Sequence, residues 1–398
     1  MNRKQSTILL VLVLLIGSAG LVTYKRQNAS RDAGSAALGR KLLGEIEINN
    51  VAQLVIKGDT NELNLVREDG LWRVKERYGY PANFNEISDT VLKLRDLKIV
   101  QTERVGESQL VRLSLAEGQG ANGPTVVVLK DMDGVPMKTL WLGKKHMKKS
   151  SRPSPMPGMD DDQGWPDGRY VKLGGSTEVA LVSDPLANLE PRPEQWLNKE
   201  FLKVEKVKSI AVDFPEATNS WKVTRETEAG PWRLFEPKAG EDLDSSKLTS
   251  LSSPLGSLAF NDVAPESAQE HFGLQHPVMA TLETFDHFAY AFKVGLKTNE
   301  NYPIRVAVTA SFPKERPVGA GEKAEDKEKL EKQFKDDLKK LEDKLAKEKG
   351  FEPWIFEVSS WSLDSLLKRR SELMVEQKPE QPERTEGANE EGVTGSTP

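Results

Sequence analysis

Four histidines are the side chains best suited to acid–base or metal chemistry: His146, His271, His276 and His287. His271 and His276 stand close together near a turn. A zinc site needs further ligands at defined spacing, and none accompanies them, so a surface or turn histidine is the expected role. The chain has no cysteine, which excludes thiolate zinc sites, cysteine nucleophiles, disulfides and thiol lipidation. Asp160, Asp161 and Asp162 offer oxygen ligands for calcium. An EF-hand loop alternates its ligands, turns on a glycine and closes on a glutamate. That pattern is missing, and a solvated acidic loop is expected.

No GxSxG, P-loop, dinucleotide fingerprint or HExxH is present,. Trp72 and Trp232 could stack on a ligand, but their place in alternating strand sequences favours core packing, with Arg67 and Arg225 on strand surfaces. No catalytic, cofactor-binding or metal-binding residue is assigned. A non-enzymatic protein without cofactor or metal is therefore the expectation. Net charge is −5, with acids and bases mixed throughout, whereas a nucleic-acid binder shows a clustered basic face.

The elements that would carry any site repeat. VAQLVI (51–56) followed by LNLVREDGLWRV (63–74) is matched by VKSIAV (207–212) followed by WKVTRETEAGPWRL (221–234). Val51, Leu54 and Ile56 correspond to Val207, Ile210 and Val212; Trp72–Arg73 corresponds to Trp232–Arg233. Each copy continues with a helical stretch. In 81–100, Phe84, Ile87, Val91 and Leu94 fall on one face, with Asn83 and Glu86 resembling a capping box. In 241–260, Leu248, Leu251, Leu255 and Leu258 do so, with Pro254 set to end the helix. Short helical or turn segments follow at 107–115 and 266–274.

Strands are expected at 125–131, 138–144, 169–174 and 178–183 in the first copy, and at 279–285, 289–295, 304–310 and 354–359 in the second,. A helical segment closes each copy, at 185–197 and 362–374. The fold class is α+β: two tandem copies, 45–202 and 203–376, of a mainly antiparallel sheet with helices. Met147–Gly168 is expected as a loop. An insertion at 313–350 is expected at the corresponding place of the second copy. Its helix, 322–349, carries a stripe of Leu330, Phe334, Leu338, Leu341 and Leu345 among alternating Glu and Lys,. It would either lie over its own domain or protrude to dock a partner or another copy as a coiled coil.

Before the body lies Ile8–Tyr24, an apolar run without a charge, bracketed by Arg3 and Lys4 and by Lys25 and Arg26. It suits a single transmembrane helix at the short end of the usual range. Residues 1–7 would then be cytoplasmic, 25–44 a flexible tether, the body extracytoplasmic and 377–398 a disordered tail. The alternative is a cleaved signal peptide with small residues at Gly17–Ser18–Ala19.

With LVREDGLWRV followed by YPANFNEISDTVLKLRDLKIV, and with the ending PWIFEVSSWSLDSLLKRRSEL, the chain resembles the bacterial membrane-anchored proteins grouped as domain of unknown function 4340. The resemblance extends over most of residues 45–375. It implies a single-pass inner-membrane protein with its bulk in the periplasm. It also implies an accessory role beside an ABC-2 type transporter of the gliding-motility kind, with permease or auxiliary subunits as partners. The alternative function is a glycan- or lipid-binding envelope module using a groove between the repeats.

Overall fold

The computed structural model describes residues 38–375, apart from 119, 149–163, 253 and 318–321. The span Ile8–Tyr24, most of the tether, the acidic run Asp160–Asp162 and the tail 377–398 lie outside the described residues. Among the described residues no helix is long and apolar enough to cross a membrane.

The fold is mixed α+β, with two antiparallel sheets and few helices. The first sheet begins with β1 (Gln53–Lys57), β2 (Glu62–Glu68), β3 (Leu71–Val74) and β4 (Tyr80–Pro81). Then come α1 (Phe84–Asp96), β5 (Ile99–Arg104), α2 (Glu107–Arg112), β6 (Thr125–Lys130), β7 (Pro136–Lys148), β8 (Trp165–Leu173) and β9 (Glu178–Val182). Its order is β4-β3-β2-β1-β6-β7-β8-β9-β5. The second set is β10 (Val207–Asp213), β11 (Trp221–Thr224), β12 (Arg233–Leu234), α3 (Ser245–Ser252), β13 (Phe260–Pro265), β14 (Val278–Thr284), β15 (Phe288–Val294) and β16 (Asn301–Ala310). It ends with α4 (Ala324–Lys349), β17 (Trp354–Ser359) and α5 (Ser360–Leu363). The order is β12-β11-β10-β14-β15-β16-β17-β13. Read from β3 and from β12, the two orders follow one scheme.

Among the described residues, one compact unit takes in those from 38 to 201 with Ala259–Ala268 and Trp354–Glu357. The other takes in Leu202–Leu258, Gln269–Pro353 and residues 358–375.

Period-2 sequences dictate the strands. In β1 the alternate residues Leu54 and Ile56 are fully buried, and Val55 between them is buried too, so both faces of this strand are covered. Ile210 and Val212 of β10 are equally buried. The β2–β3 hairpin turns on Asp69–Gly70, both at positive φ (50° and 80°), as a two-residue loop between right-twisted strands requires,.

A second repeated feature depends on glycine. A Cβ on Gly143, just beyond the β6-paired part of β7, would lie under 3.0 Å from the Leu113 carbonyl oxygen and Leu115 Cγ. A Cβ on Gly295 would meet the Phe272 carbonyl oxygen just as closely, with Leu274 Cδ2 at 3.3 Å. The approach lets Lys144 N–H donate to Leu113 O (2.8 Å) and Leu296 N–H donate to Phe272 O (3.3 Å).

Several sequence expectations are corrected. Segment 185–197 forms only the 3-10 turn Pro193–Trp196, because Pro185, Pro191 and Pro193 remove helical donors. Segment 362–374 yields the end of α5 and the 3-10 turn Arg370–Leu373. In α1 the buried residues are Ile87, Thr90, Val91 and Leu94, while Phe84 is 62% exposed. Phe84 is the first helical residue, and side chains lean toward the N-terminus, where no preceding turn exists for it to cover. The Met147–Gly168 loop is shorter than expected, since His146↔Gly168, Met147↔Pro166 and Lys148↔Trp165 are strand pairs. The two insertions also occupy different joints. Residues 149–163 separate β7 from β8, whereas α4 separates β16 from β17, the counterparts of β8 and β9.

The close approaches give a paired prediction. Gly143→Ala and Gly295→Ala each overpack a backbone contact and should each destabilise the protein by about 1–3 kcal/mol. Denaturant unfolding with amide exchange should assign the loss to β7 in one variant and to β15 in the other. Wild-type stability in both would contradict the close contact.

Candidate functional site

The sequence-selected residues are dispersed. His146 Nδ1 lies 2.6 Å from Asp167 Oδ1, and its ring meets Tyr170 edge-on at 6.0 Å. This bond holds the Asp167 carboxyl below its ordinary value. His271, His276 and His287 are exposed. Among the described residues no three His, Asp or Glu side chains are arranged to hold a metal ion. Trp72 is buried, but Trp232 is half-buried with the Arg225 guanidinium 4.7 Å from its ring centre. Arg225 is half-buried rather than fully on the surface: its Nε donates to Val207 O at 2.6 Å, it also faces Phe285, and burial lowers its pKa. A hollow of about 50 Å³ bounded by Gln101, Glu103, Tyr170 and Leu181 is large enough for water only,.

The element best suited to present a surface is α4. Its sequence is helical by propensity and by alternating Glu and Lys, which supply pairs such as Lys335–Glu331 (3.9 Å) and Lys340–Asp337 (2.8 Å),. Leu330, Phe334, Leu338, Leu341 and Leu345 are all half-buried, and the residues between them are mostly exposed.

Glu348, near the C-terminal end, is the buried residue among those of the helix whose burial is described, at 4% exposure. It accepts a hydrogen bond from Tyr290 Oη at 2.8 Å, with Lys344 Nζ 3.8 Å away. Lys344 in turn donates to Lys203 O at 3.0 Å and lies 5.0 Å over the Phe288 ring. Burial raises the Glu348 pKa against the opposing pull of Tyr290 and Lys344, and burial also raises that of Tyr290. The helix is thus seated at one end by a carboxyl, a phenol and an ammonium, and displays charge along its outer face.

Sequence reasoning passed over Glu348, although a signal was present. The stripe runs 334, 338, 341, 345 at alternating steps of four and three, and the next step of three is 348. Glutamate there is hidden by a composition in which acids are everywhere.

The first unit has its own polar cluster. Arg77 meets Asp262 through two bonds, Nε–Oδ1 at 2.5 Å and Nη2–Oδ2 at 2.7 Å, with Glu194 at 3.8 Å. Lys199 Nζ donates to the carbonyls of Phe260 (3.2 Å) and Asn261 (2.6 Å), and burial lowers its pKa. Beside them Tyr80, Phe201, Phe260 and Phe356 pack edge-on or tilted, with centroids 4.5–6.2 Å apart. Arg77 is paired with Asp262 and Lys199 with two backbone carbonyls, so the cluster acts as a clamp.

Residues 162–277 match the family model described as Domain of unknown function (DUF4340). The resemblance drawn from the sequence is therefore found, over a shorter stretch than 45–375. The match begins before β8 and ends before β14, and takes in neither LVREDGLWRV nor the ending PWIFEVSSWSLDSLLKRRSEL. No curated protein and no solved structure matches the chain.

The first prediction here concerns pH. Folding raises the Glu348 pKa, so the folded state binds its proton more tightly than the unfolded state. Stability from this group is greatest below the ordinary value of 4.5 and falls as pH rises through the raised pKa,. Amide exchange at 345–351, corrected for intrinsic rates, should speed up across that window. Glu348→Gln keeps a partner for Tyr290 and should flatten the dependence; an unchanged profile would assign it elsewhere. The second concerns the clamp. Asp262→Ala leaves Arg77 with a distant acid and should cost about 1–3 kcal/mol in denaturant unfolding. A loss near zero would show that the pair contributes nothing net.

Proposed function

We propose that the chain is a non-enzymatic, extracytoplasmic scaffold, tethered to a bacterial inner membrane and working beside an ABC-2 type transporter of the gliding-motility kind. The observation that carries this reading is the uncharged apolar run Ile8–Tyr24 between two basic pairs, followed by a large polar body. The family match at 162–277 supports the resemblance from which the transporter association comes. A tether raises the effective concentration of the body for any partner in the same membrane. The outward face of α4, rich in both charge signs, is the surface offered for contact.

The body itself we infer to be a duplicated unit. The support is the common strand order, the equivalent buried residues Leu54/Ile210 and Ile56/Val212, and the glycine contacts at Gly143 and Gly295.

Crosslinking with mass spectrometry in native membranes, paired with purification in mild detergent, tests the scaffold reading. Transporter subunits should be recovered, with crosslinks to α4 lysines such as Lys327, Lys332 and Lys335. Recovery of the chain alone, under conditions that preserve other envelope complexes, would sink it. So would a mature N-terminus just after Ala19, which removes the tether.

A further inference from the structure

The β7–β8 hairpin outruns its sheet. β6 pairs with β7 only as far as Thr125↔Leu142, and β9 pairs with β8 only from Arg169↔Val182. Beyond these rungs, Lys145–Lys148 and Trp165–Arg169 pair with each other. A bare two-stranded ribbon is marginal in water, and this one is braced. Lys144 N–H donates to Leu113 O, and His146 bonds Asp167 across the ribbon at 2.6 Å. Arg169, 8% exposed, donates from Nε to Gly143 O (2.8 Å) and from Nη1 to Leu186 O (3.1 Å) at its base.

What this braced projection displays is apolar and basic together. Met147 and Trp165 are 46% and 52% exposed. Lys144 and Lys148 are exposed and Lys145 is half-exposed. Among the described residues, Asp167 is bound to His146 and Glu190 stands 3.9 Å from Lys145; the acidic run Asp160–Asp162 lies outside them. Tryptophan beside lysines matches the boundary of an anionic bilayer. There the ring sits at headgroup depth, and the ammonium groups reach phosphate while their stems lie along apolar surface. The second unit repeats the pairing at the equivalent joint, where Leu296, 72% exposed, is followed by Lys297 between β15 and β16.

The entry of the chain brings the same bilayer within reach. Gly39 N–H donates to Ile99 O, Ile99 pairs with Val182, and Val182 pairs with Arg169 at the base of the ribbon. The entry point is thus three strand spacings, about 14 Å, from the ribbon. Residues 25–37 connect it to the apolar run and can span up to about 45 Å.

We propose that the β7–β8 ribbon docks the first unit on an anionic phospholipid surface. Trp165 and Met147 enter the headgroup boundary, and Lys144, Lys145 and Lys148 meet lipid phosphates. This deepens the membrane-tether reading and rests on it for proximity.

The test uses the full chain in nanodiscs of phosphatidylcholine, with or without phosphatidylglycerol, followed by amide exchange. Exchange at 145–148 and 165–168 should slow by about tenfold with the anionic lipid and recover at high salt, as expected for lysine attraction to such a surface. Lys144→Gln/Lys145→Gln/Lys148→Gln should abolish the slowing, and Trp165→Ala should weaken it. Unchanged protection at Val127 and Leu140 would show that the variants are folded. Equal exchange in both kinds of disc, or slowing that survives the triple variant, overturns the proposal and favours a protein partner. Co-elution with the discs scores the tether separately. If the chain leaves them, sedimentation with anionic vesicles decides the ribbon alone. The wild type should pellet and the triple variant should not; a wild type left in the supernatant overturns the docking.

Discussion

Register in each sheet depends on central strands whose large apolar side chains are wholly removed from water. Leu54, Val55 and Ile56 are all removed from water, and Leu54↔Leu65 and Leu54↔Leu129 join three buried side chains across adjacent strands. Ile210↔Val223 and Ile210↔Leu282 do the same in the second sheet. A slip of one residue would turn each of these side chains to the opposite face. Burying a side chain of this size is worth about 1.5–3 kcal/mol, so several exchanged together would exceed ordinary domain stability. Hairpins, helices and the glycine approaches are therefore built outward from a register that cannot move.

This explains why the strands were legible in the sequence and several other elements were not. Strand identity is written locally, in the short apolar, β-branched runs of VAQLVI and VKSIAV,. The helix α1 was legible from its apolar spacing and Asn83, whose side chain accepts from Glu86 N–H at 3.3 Å. The closing segments misled because Leu186, Leu189, Trp196 and Leu197 are buried without forming an α-helix. Apolar spacing reports burial, and here prolines bend an irregular chain around the core. Arg77, Lys199 and Asp262 were illegible for another reason. Asp262 is 185 residues from Arg77, and nothing local distinguishes either from a surface charge.

The helix α4 shows how an abundant composition hides a particular residue. Most of its acids and lysines face water, where each ion pair contributes little. Glu348 differs only in position: it takes a stripe site one step beyond Leu345, and the sheet below supplies Tyr290 as donor. A leucine there would bury more cheaply but would leave the Tyr290 hydroxyl without this acceptor. The carboxyl therefore ties the end of the helix to Tyr290 on β15.

On the reading that the sheets are copies, their differences show where new function could be added without cost to the core. The first has a braced ribbon at the β7–β8 joint, and the second has a 26-residue helix at the β16–β17 joint. Both additions start where a hairpin leaves its ladder, so neither disturbs a central rung. Each is then tied back by polar contacts at its base, Arg169 to two carbonyls in one case and Glu348 to Tyr290 in the other. Both ties bury a charged or ionisable group, which is costly unless its hydrogen bonds are satisfied. A loose hairpin or helix has no need of that cost, whereas an element that must meet a surface at a fixed angle does. The buried arginine and glutamate are thus what fix the ribbon and the helix to their sheets.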